Sequence, residues 1–185
     1  MHSDIYVSAP RYAAHFDHEA VVAALTRTYS QRGIAVRSEP TLPGGKRSDL
    51  AVSLDHHWTY IEVKTRNGAR NGRGVSQRQS FLREIMRLHA HSLKQLPRKE
   101  SSLVVLSASS SPDRRKAVCK ITIVRSLAGR IFSQNSEKVM GLMIFAPFRS
   151  PRKSPTGWRY ASALIPNPNY EKPSDKFDKL GNIQL

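Results

Sequence analysis

Two short runs of alternating apolar residues, separated by a pair of histidines, constrain the fold of this chain most. They lie in the segment "DLAVSLDHHWTYIEVKT". Leu50, Val52 and Leu54 alternate with other residues before the histidines, and Ile61 and Val63 do so after them. Apolar residues at every second position allow one side of a β-strand to face a protein core. The segment is therefore predicted to form an antiparallel β-hairpin.

The turn of this hairpin decides which polar side chains share a face. If an even number of turn residues is centred on His56 and His57, Asp49 lies directly across from Lys64. Glu62 then lies on the same face, because side chains two positions apart point to the same side of a strand. An odd number of turn residues would direct Asp49 to the other face. With an even turn, the three side chains converge at one end of a two-stranded ribbon.

Two carboxylates and one amine at this spacing suit a hydrolytic metal site. Carboxylate oxygens, with water and phosphate oxygens, are the ligands that Mg²⁺ prefers. The ion activates water and neutralises charge on a reacting phosphate, and a lysine can orient or deprotonate the attacking water. Asp49 and Glu62 are the predicted metal ligands, and Lys64 is the predicted catalytic amine. The structural alternatives are a strand-start aspartate and a solvated ion pair.

The charge of the chain points to nucleic acid as its partner. Thirty Lys and Arg residues against fourteen Asp and Glu residues give a net charge of +16. A field of this sign attracts polyanions. The segment 64–99 has ten basic residues and one acidic residue, so phosphate contact is favoured there over a merely solvated surface. The predicted phosphate-binding residues are Arg66, Arg70, Arg73 and Arg78.

The rest of the chain predicts a mixed α/β domain. Helices are predicted over 17–33 and 75–96, with a strand over 34–42 between the first helix and the hairpin. Ser76 and Gln79 fit a capping box at the start of the second helix. Further strands are predicted from the apolar segments "SLVVLSA", "VCKITIVRS", "GLMIFAPF" and "YASALIP". The order helix, three strands, helix, strand is typical of a mixed sheet flanked by helices.

Residues 1–165 are predicted to form a single domain, and the polar, proline-rich segment 166–185 is predicted to be a surface tail. The only cysteine, Cys119, is predicted to be a buried core thiol. One cysteine allows no internal disulfide and favours a reducing compartment. No apolar run approaches the roughly 20 residues that span a bilayer. We therefore expect no membrane association and a cytoplasmic location.

Residues 17 to about 106 resemble the core of the PD-(D/E)xK nuclease superfamily, which includes many restriction endonucleases and archaeal Holliday-junction resolvases. The resemblance rests on Asp49 in "GGKRSDL" and on Glu62 and Lys64 in "YIEVKT". Ser48 stands where a proline often precedes the aspartate. The resemblance implies a restriction endonuclease-like core, in the order α-β-β-β-α-β, with a central mixed β-sheet flanked by helices. Additional C-terminal strands would follow over 107–165.

The resemblance also implies roles for residues outside the hairpin. Glu19 in the first helix is similar to the acidic residue that many members carry there, which makes it a third metal ligand. The segment "VSQRQSFL" resembles the Ser-x-x-Gln helix start of resolvase-like members and places Gln79 near the site, with Gln77 as its alternative. A separate candidate set for a transition metal is His15, Asp17, His18 and Glu19.

The function implied by the resemblance is hydrolysis of phosphodiester bonds with Mg²⁺ or Mn²⁺. DNA is favoured over RNA as the substrate, and an endonuclease over an exonuclease. Many members act as homodimers, so a homodimer is compatible with the resemblance. Two alternatives stay open: an RNA-cleaving nuclease of the transfer-RNA toxin type, and a catalytically inactive nucleic-acid-binding module.

Overall fold

Seven β-strands pair in one mixed sheet in the described part of the chain. The computed structural model describes residues 4–5, 18–42, 45, 47–65, 100–108, 110–132, 139–150, 158–170 and 179–180. In chain order the elements are β1 (Asp4–Ile5), α1 (His18–Gln31), β2 (Val36–Ser38), β3 (Leu50–Leu54), β4 (His57–Thr65), β5 (Ser101–Ser107), α2 (Arg114–Phe132), β6 (Val139–Arg149) and β7 (Trp158–Pro166). Their order across the sheet is β1-β7-β6-β5-β4-β3-β2.

Parallel strands form the centre of the sheet, and antiparallel pairs lie on both sides. β5 pairs in parallel with β4 and with β6. The pairs β2–β3, β3–β4, β6–β7 and β1–β7 are antiparallel. This mixed sheet with flanking helices confirms the predicted α/β class. The helix predicted over 75–96, which belongs to the finer restriction endonuclease-like arrangement, lies outside the described residues.

α1 forms close to the predicted range of 17–33. Val21, Leu25 and Tyr29 are spaced by four residues and are buried on one side of the helix. Gly33 follows the helix end with a φ of 73°, and its N–H donates a hydrogen bond of 3.0 Å to the Ser30 carbonyl. A left-handed residue at this position satisfies a helix carbonyl that otherwise has no partner. Glycine adopts that conformation without a steric penalty.

The alternating runs of the hairpin divide the core into two clusters on opposite faces of the sheet. Leu50, Ile61 and Val63 pack in the cluster that contains the buried residues of α1. Ala51 and Tyr60 belong to the cluster that contains the buried residues of α2. Since neighbouring residues of a strand point to opposite faces, α1 and α2 cover opposite sides of the sheet.

The strand predicted for the segment "VCKITIVRS" is wrong, because residues 118–126 lie within α2. Ala117, Ile121, Ala128 and Phe132 are buried, and their spacing of four, seven and four residues follows the period of a helix. The alternation of isoleucine and threonine inside the segment imitates a strand over too short a window. The helical period appears only when residues on both sides of the segment are included.

The start of α2 is set by Asp113. Its Oδ1 accepts a hydrogen bond of 2.8 Å from the backbone N–H of Lys116, as an N-cap side chain does. This cap was readable in the sequence and would have corrected the strand prediction. Cys119, predicted to be buried, is exposed on α2. Cys119 lies on the solvent side of the helix and therefore does not reach the core, as it would have done in a buried strand.

The predicted strands on either side of α2 are confirmed. β5 covers most of the segment "SLVVLSA", and all seven of its residues are buried. β6 and β7 contain the segments "GLMIFAPF" and "YASALIP". Ten of the eleven residues of β6 are buried, which is typical of a strand that is covered on both faces.

The segment predicted to be a surface tail contributes to the core where the structure describes it. Leu180 is fully buried in the cluster that contains α1. The side-chain Nδ2 of Asn167 donates a hydrogen bond of 2.8 Å to the Val139 carbonyl, and Asn167 is buried. Polar composition alone did not reveal these two anchored positions. Neither of the two helices described is long and apolar enough to cross a membrane.

Candidate metal and phosphodiester site

The hairpin between β3 and β4 turns through two residues, Asp55 and His56. Leu54 pairs with His57 on either side of them. The φ angles of Asp55 and His56 are 51° and 64°. Two consecutive left-handed residues are typical of a type I′ turn, whose twist matches that of the paired strands. The turn is therefore centred one residue earlier than the sequence predicted.

This earlier turn changes the partner of Asp49. Leu50 pairs with Ile61, so the next step of the register sets Asp49 across from Glu62. The predicted pairing of Asp49 with Lys64 is therefore wrong by two positions. A shift of two positions leaves every side chain on the same face, because the side-chain period of a strand is two. Glu62 and Lys64, two positions apart on β4, therefore share one face of the sheet. Asp49 lies just before β3, and its carboxylate contacts the Val63 N–H and His18 at the end of the ladder.

Asp49 closes the open end of the β3–β4 ladder. Its Oδ2 accepts a hydrogen bond of 2.6 Å from the backbone N–H of Val63. In a regular ladder the Ser48 carbonyl would accept from Val63. Here Ser48 has left the ladder, and its N–H donates to the Pro40 carbonyl at 3.0 Å. The carboxylate of Asp49 thus has a structural role, which is the strand-start alternative, in addition to any chemical one.

His18 supplies the second partner of Asp49. Its Nε2 lies 2.8 Å from the Oδ1 of Asp49, and the side chains are 42% and 19% exposed. His18 is the first residue of α1, and Glu19 beside it is exposed. The helix start was expected to contribute Glu19, yet the residue that contacts Asp49 is its neighbour. Sequence reasoning noted His18 only among candidate transition-metal ligands, of which His15 and Asp17 lie outside the described residues.

Glu62 and Lys64 form a close ion pair beside Asp49. The Nζ of Lys64 lies 2.5 Å from Oε1 of Glu62, and the side chains are 37% and 20% exposed, respectively. Burial raises the pKa of Glu62 above its ordinary value, the Lys64 hydrogen bond opposes that rise, and the charge of Asp49 adds to it. A carboxyl group with a perturbed pKa beside a second acid is typical of a functional site.

The donor atoms of Asp49 and Glu62 fit a magnesium ion. Mg²⁺ is commonly held by one or two carboxylates, with water and substrate phosphate completing its shell. Each carboxylate oxygen has two acceptor positions, so the bonds from His18 and Val63 leave capacity for a cation. Burial is the main cause of the raised pKa of Glu62, and the charge of Asp49 adds to it, so a bound cation would stabilise the charged carboxylate. Within the described ranges, no three His, Cys, Asp or Glu side chains converge as ligands.

Several predicted site residues lie outside the described residues. They are Arg66, Arg70, Arg73, Gln77, Arg78 and Gln79. The described residues instead reveal a basic surface on α2. It was not predicted, because residues 118–126 were expected to form a strand. The helix carries no acidic residue between its first and last positions. Its basic residues with described side chains are Arg114, Arg115, Lys116, Lys120 and Arg125.

Comparisons with known proteins do not identify a family for this chain. No protein-family model matches it, and no protein with a curated description matches it. Among solved structures, the chain is similar to Pyrococcus furiosus SfsA in complex with Ca²⁺, with 12% sequence identity and a TM-score of 0.35. The match covers 80% of this chain and 62% of that chain. A similarity at this TM-score carries no argument about function.

Proposed function

We propose that this protein is a divalent-metal-dependent nuclease that hydrolyses phosphodiester bonds of DNA as an endonuclease. The observation that supports this proposal is the position of the Asp49 carboxylate, which accepts a hydrogen bond from the backbone N–H of Val63, the residue between the paired Glu62 and Lys64. Both carboxylates are partly buried, and the pKa of Glu62 is raised. A solvated surface ion pair has no reason to produce this combination.

The side chains have distinct roles in the proposed reaction. Asp49 and Glu62 would hold Mg²⁺ or Mn²⁺, which supplies positive charge to the phosphate oxygens and lowers the pKa of water. Val63 and His18 hold the Asp49 carboxylate in place through bonds of 2.6 Å and 2.8 Å. The Lys64 ammonium orients the attacking water and offsets charge that develops on the phosphate.

The substrate class follows from charge and from the resemblance of the chain to DNA-cleaving nucleases. A net charge of +16 attracts the backbone of either nucleic acid. DNA is proposed because restriction endonuclease-like and resolvase-like proteins act on it. RNA cleavage is the alternative within the same chemistry, and a direct assay separates the two substrates.

A second candidate function is nucleic-acid binding without catalysis. It is favoured by the bonding of Asp49, whose two carboxylate oxygens already have partners within the protein. In that case Asp49 only closes the strand ladder, and the basic surface of the protein binds phosphate groups. This candidate predicts affinity for nucleic acid that does not depend on a divalent ion.

The deciding experiment incubates the protein with plasmid DNA, branched DNA or total RNA in Mg²⁺, Mn²⁺ or EDTA. Cleavage of DNA that requires a divalent ion is expected, together with its loss in Asp49→Ala. Cleavage of RNA alone would assign the alternative substrate. Binding to nucleic acid without cleavage under any of these conditions would overturn the proposal and leave the binding module.

A second measurement tests the metal without using activity. A ligand that binds only the folded state raises its melting temperature. We expect Mg²⁺ to raise the melting temperature of the wild-type protein and to have little effect on Glu62→Gln. Asp55→Asn is the matched control, because Asp55 is a carboxylate at the other end of the same hairpin. An equal Mg²⁺ response in both variants would contradict a site at Glu62.

A further inference from the structure

An arginine lies over a tryptophan ring near the edge of the sheet. The Cζ atom of Arg37, on β2, is 4.0 Å from the centre of the Trp58 ring, on β4. β3 runs between these two strands. The β3 residues next to the stack are Ala51, which pairs with Arg37, and Ser53, which pairs with Trp58. Their side chains are small, so the arginine can extend across β3 to the ring.

The stack lies on the same face of the sheet as the candidate site. Arg37 pairs with Ala51, and Ala51 pairs with Tyr60, so these three side chains point the same way. Trp58 and Glu62 lie two residues before and after Tyr60 on β4 and therefore also share this face. Four residues of an extended strand separate Trp58 from Glu62 by roughly 13 Å.

The basic side chains of the candidate site already have carboxylate partners, so other basic residues are better placed to bind phosphate. Lys64 is paired with Glu62, and His18 is paired with Asp49. Arg37 is exposed and, among the described residues, has no carboxylate within ion-pair distance. A guanidinium stacked on a ring keeps N–H donors along its edge that can bind phosphate.

We propose that Arg37 and Trp58 form a nucleic-acid contact that binds the phosphate backbone of the substrate strand about four nucleotides from the reacting phosphate. The identity of that strand rests on the proposed nuclease function. A separation of roughly 13 Å corresponds to about four nucleotides along a duplex at about 3.4 Å each. Trp58 holds the guanidinium in a fixed orientation, and Arg37 supplies the donors.

The first test measures affinity in EDTA, where binding is separated from cleavage. Fluorescence anisotropy with a labelled duplex is expected to show about tenfold weaker binding for Arg37→Ala, as for loss of a charged hydrogen bond. The slope of log affinity against log salt should fall by about 1. Arg37→Lys keeps the charge but removes the planar stack, so it should also bind more weakly than the wild type.

The matched control is Arg47→Ala. Arg47 is also an exposed arginine, but it lies 3.7 Å from Glu39 and outside the stack. Its loss removes the same charge and should change affinity by less than about twofold, as for a typical surface ion pair. Equal weakening in Arg37→Ala and Arg47→Ala would overturn the proposal, since net charge alone would then explain both. Unchanged affinity in Arg37→Ala would also overturn it.

A third measurement reports directly on the ring. The protein has two tryptophans, so Trp158→Phe leaves Trp58 as the single indole fluorophore. Addition of duplex DNA in EDTA should change the Trp58 emission, and Arg37→Ala should reduce that change. Emission that stays constant at saturating DNA would overturn the proposal. Because none of these measurements uses cleavage, an inactive protein that binds through Arg37 would disprove the nuclease function alone.

Discussion

The two ends of the β3–β4 hairpin each hold a carboxylate beside an amine, but the surroundings of the two pairs differ. At the turn, Asp55 lies 2.6 Å from Lys179, and both side chains are about half exposed (50% and 51%). At the open end, Glu62 lies 2.5 Å from Lys64 and is 20% exposed. Asp49 at the same end is 19% exposed. The two ion pairs have similar distances, but the carboxylates at the open end are much less exposed to water than Asp55 at the turn.

The exposed pair Asp55–Lys179 is an ordinary surface ion pair, whereas the more buried Glu62–Lys64 pair is unusual. An exposed ion pair keeps most of its hydration and contributes about 0–1 kcal/mol. At the open end, burial raises the pKa of Glu62, and the neighbouring Asp49 raises it further. Carboxylates held in such surroundings cluster at functional sites, where binding or catalysis offsets their cost. The open end is therefore the end to test for chemistry.

The largest expected effect is on catalysis at the open end. Asp49→Ala and Lys64→Ala should each lower the rate of DNA cleavage by roughly 10²–10⁴-fold, because each removes a group that acts on the reacting phosphate or water. Asp55→Ala, at the turn, should leave the rate unchanged. Single-turnover cleavage with saturating enzyme measures the effect. A comparable loss of cleavage rate in Asp55→Ala would show that the open end of the hairpin has no special role in catalysis.

The next effect concerns stability near the turn. Leu180 is fully buried, and it follows Lys179 in the chain. Leu180→Ala should lower the free energy of unfolding by about 2–5 kcal/mol through lost burial and the resulting cavity. Urea unfolding followed by circular dichroism measures it. A change below about 1 kcal/mol would mean that the C-terminal segment does not hold this residue in the core.

A smaller effect is the pH dependence that Glu62 imposes on stability. Its pKa is raised in the folded protein, so between its ordinary value and the raised one the folded state binds more protons than the unfolded state. The free energy of unfolding must therefore fall as pH rises through this range. Glu62→Gln lacks this loss, so its stability relative to the wild type should increase with pH.

Urea unfolding of both proteins, from pH values below the ordinary range of a glutamate up to neutral pH, measures this prediction. Asp55→Asn is the control for loss of a carboxylate at the turn. If the difference between Glu62→Gln and the wild type stays constant or reverses with pH, the surroundings of Glu62 do not disfavour its charge.

The smallest effect is expected from the exposed ion pair itself. Lys179→Ala removes the partner of Asp55 and should change the free energy of unfolding by about 0–1 kcal/mol. Measured beside Leu180→Ala, it separates the contribution of the ion pair from that of the buried leucine. A loss of several kcal/mol in Lys179→Ala would show that exposure does not set the difference between the two ends of the hairpin.

The shared face of Glu62 and Lys64 was readable in the sequence, because residues two positions apart in a strand point to the same side. An even turn was expected to add Asp49 to that face, but Asp49 precedes β3 and its carboxylate contacts the end of the ladder. The exact register was not readable, since "DHHW" allows several turns and the observed one uses left-handed Asp55 and His56. The contact between His18 and Asp49 was not predicted, because it depends on how α1 packs against the sheet. The resemblance implied a role for the neighbouring Glu19 instead.

The sequence by itself determined the alternating faces of the hairpin strands, the α/β class and the basic charge. These properties depend on the period of two in a strand, on the period of a helix and on counts of charged groups. Only the tertiary structure decided that Leu180 is buried and that His18 and Val63 contact Asp49. Burial and contacts between distant residues depend on how elements pack, which local periodicity does not specify.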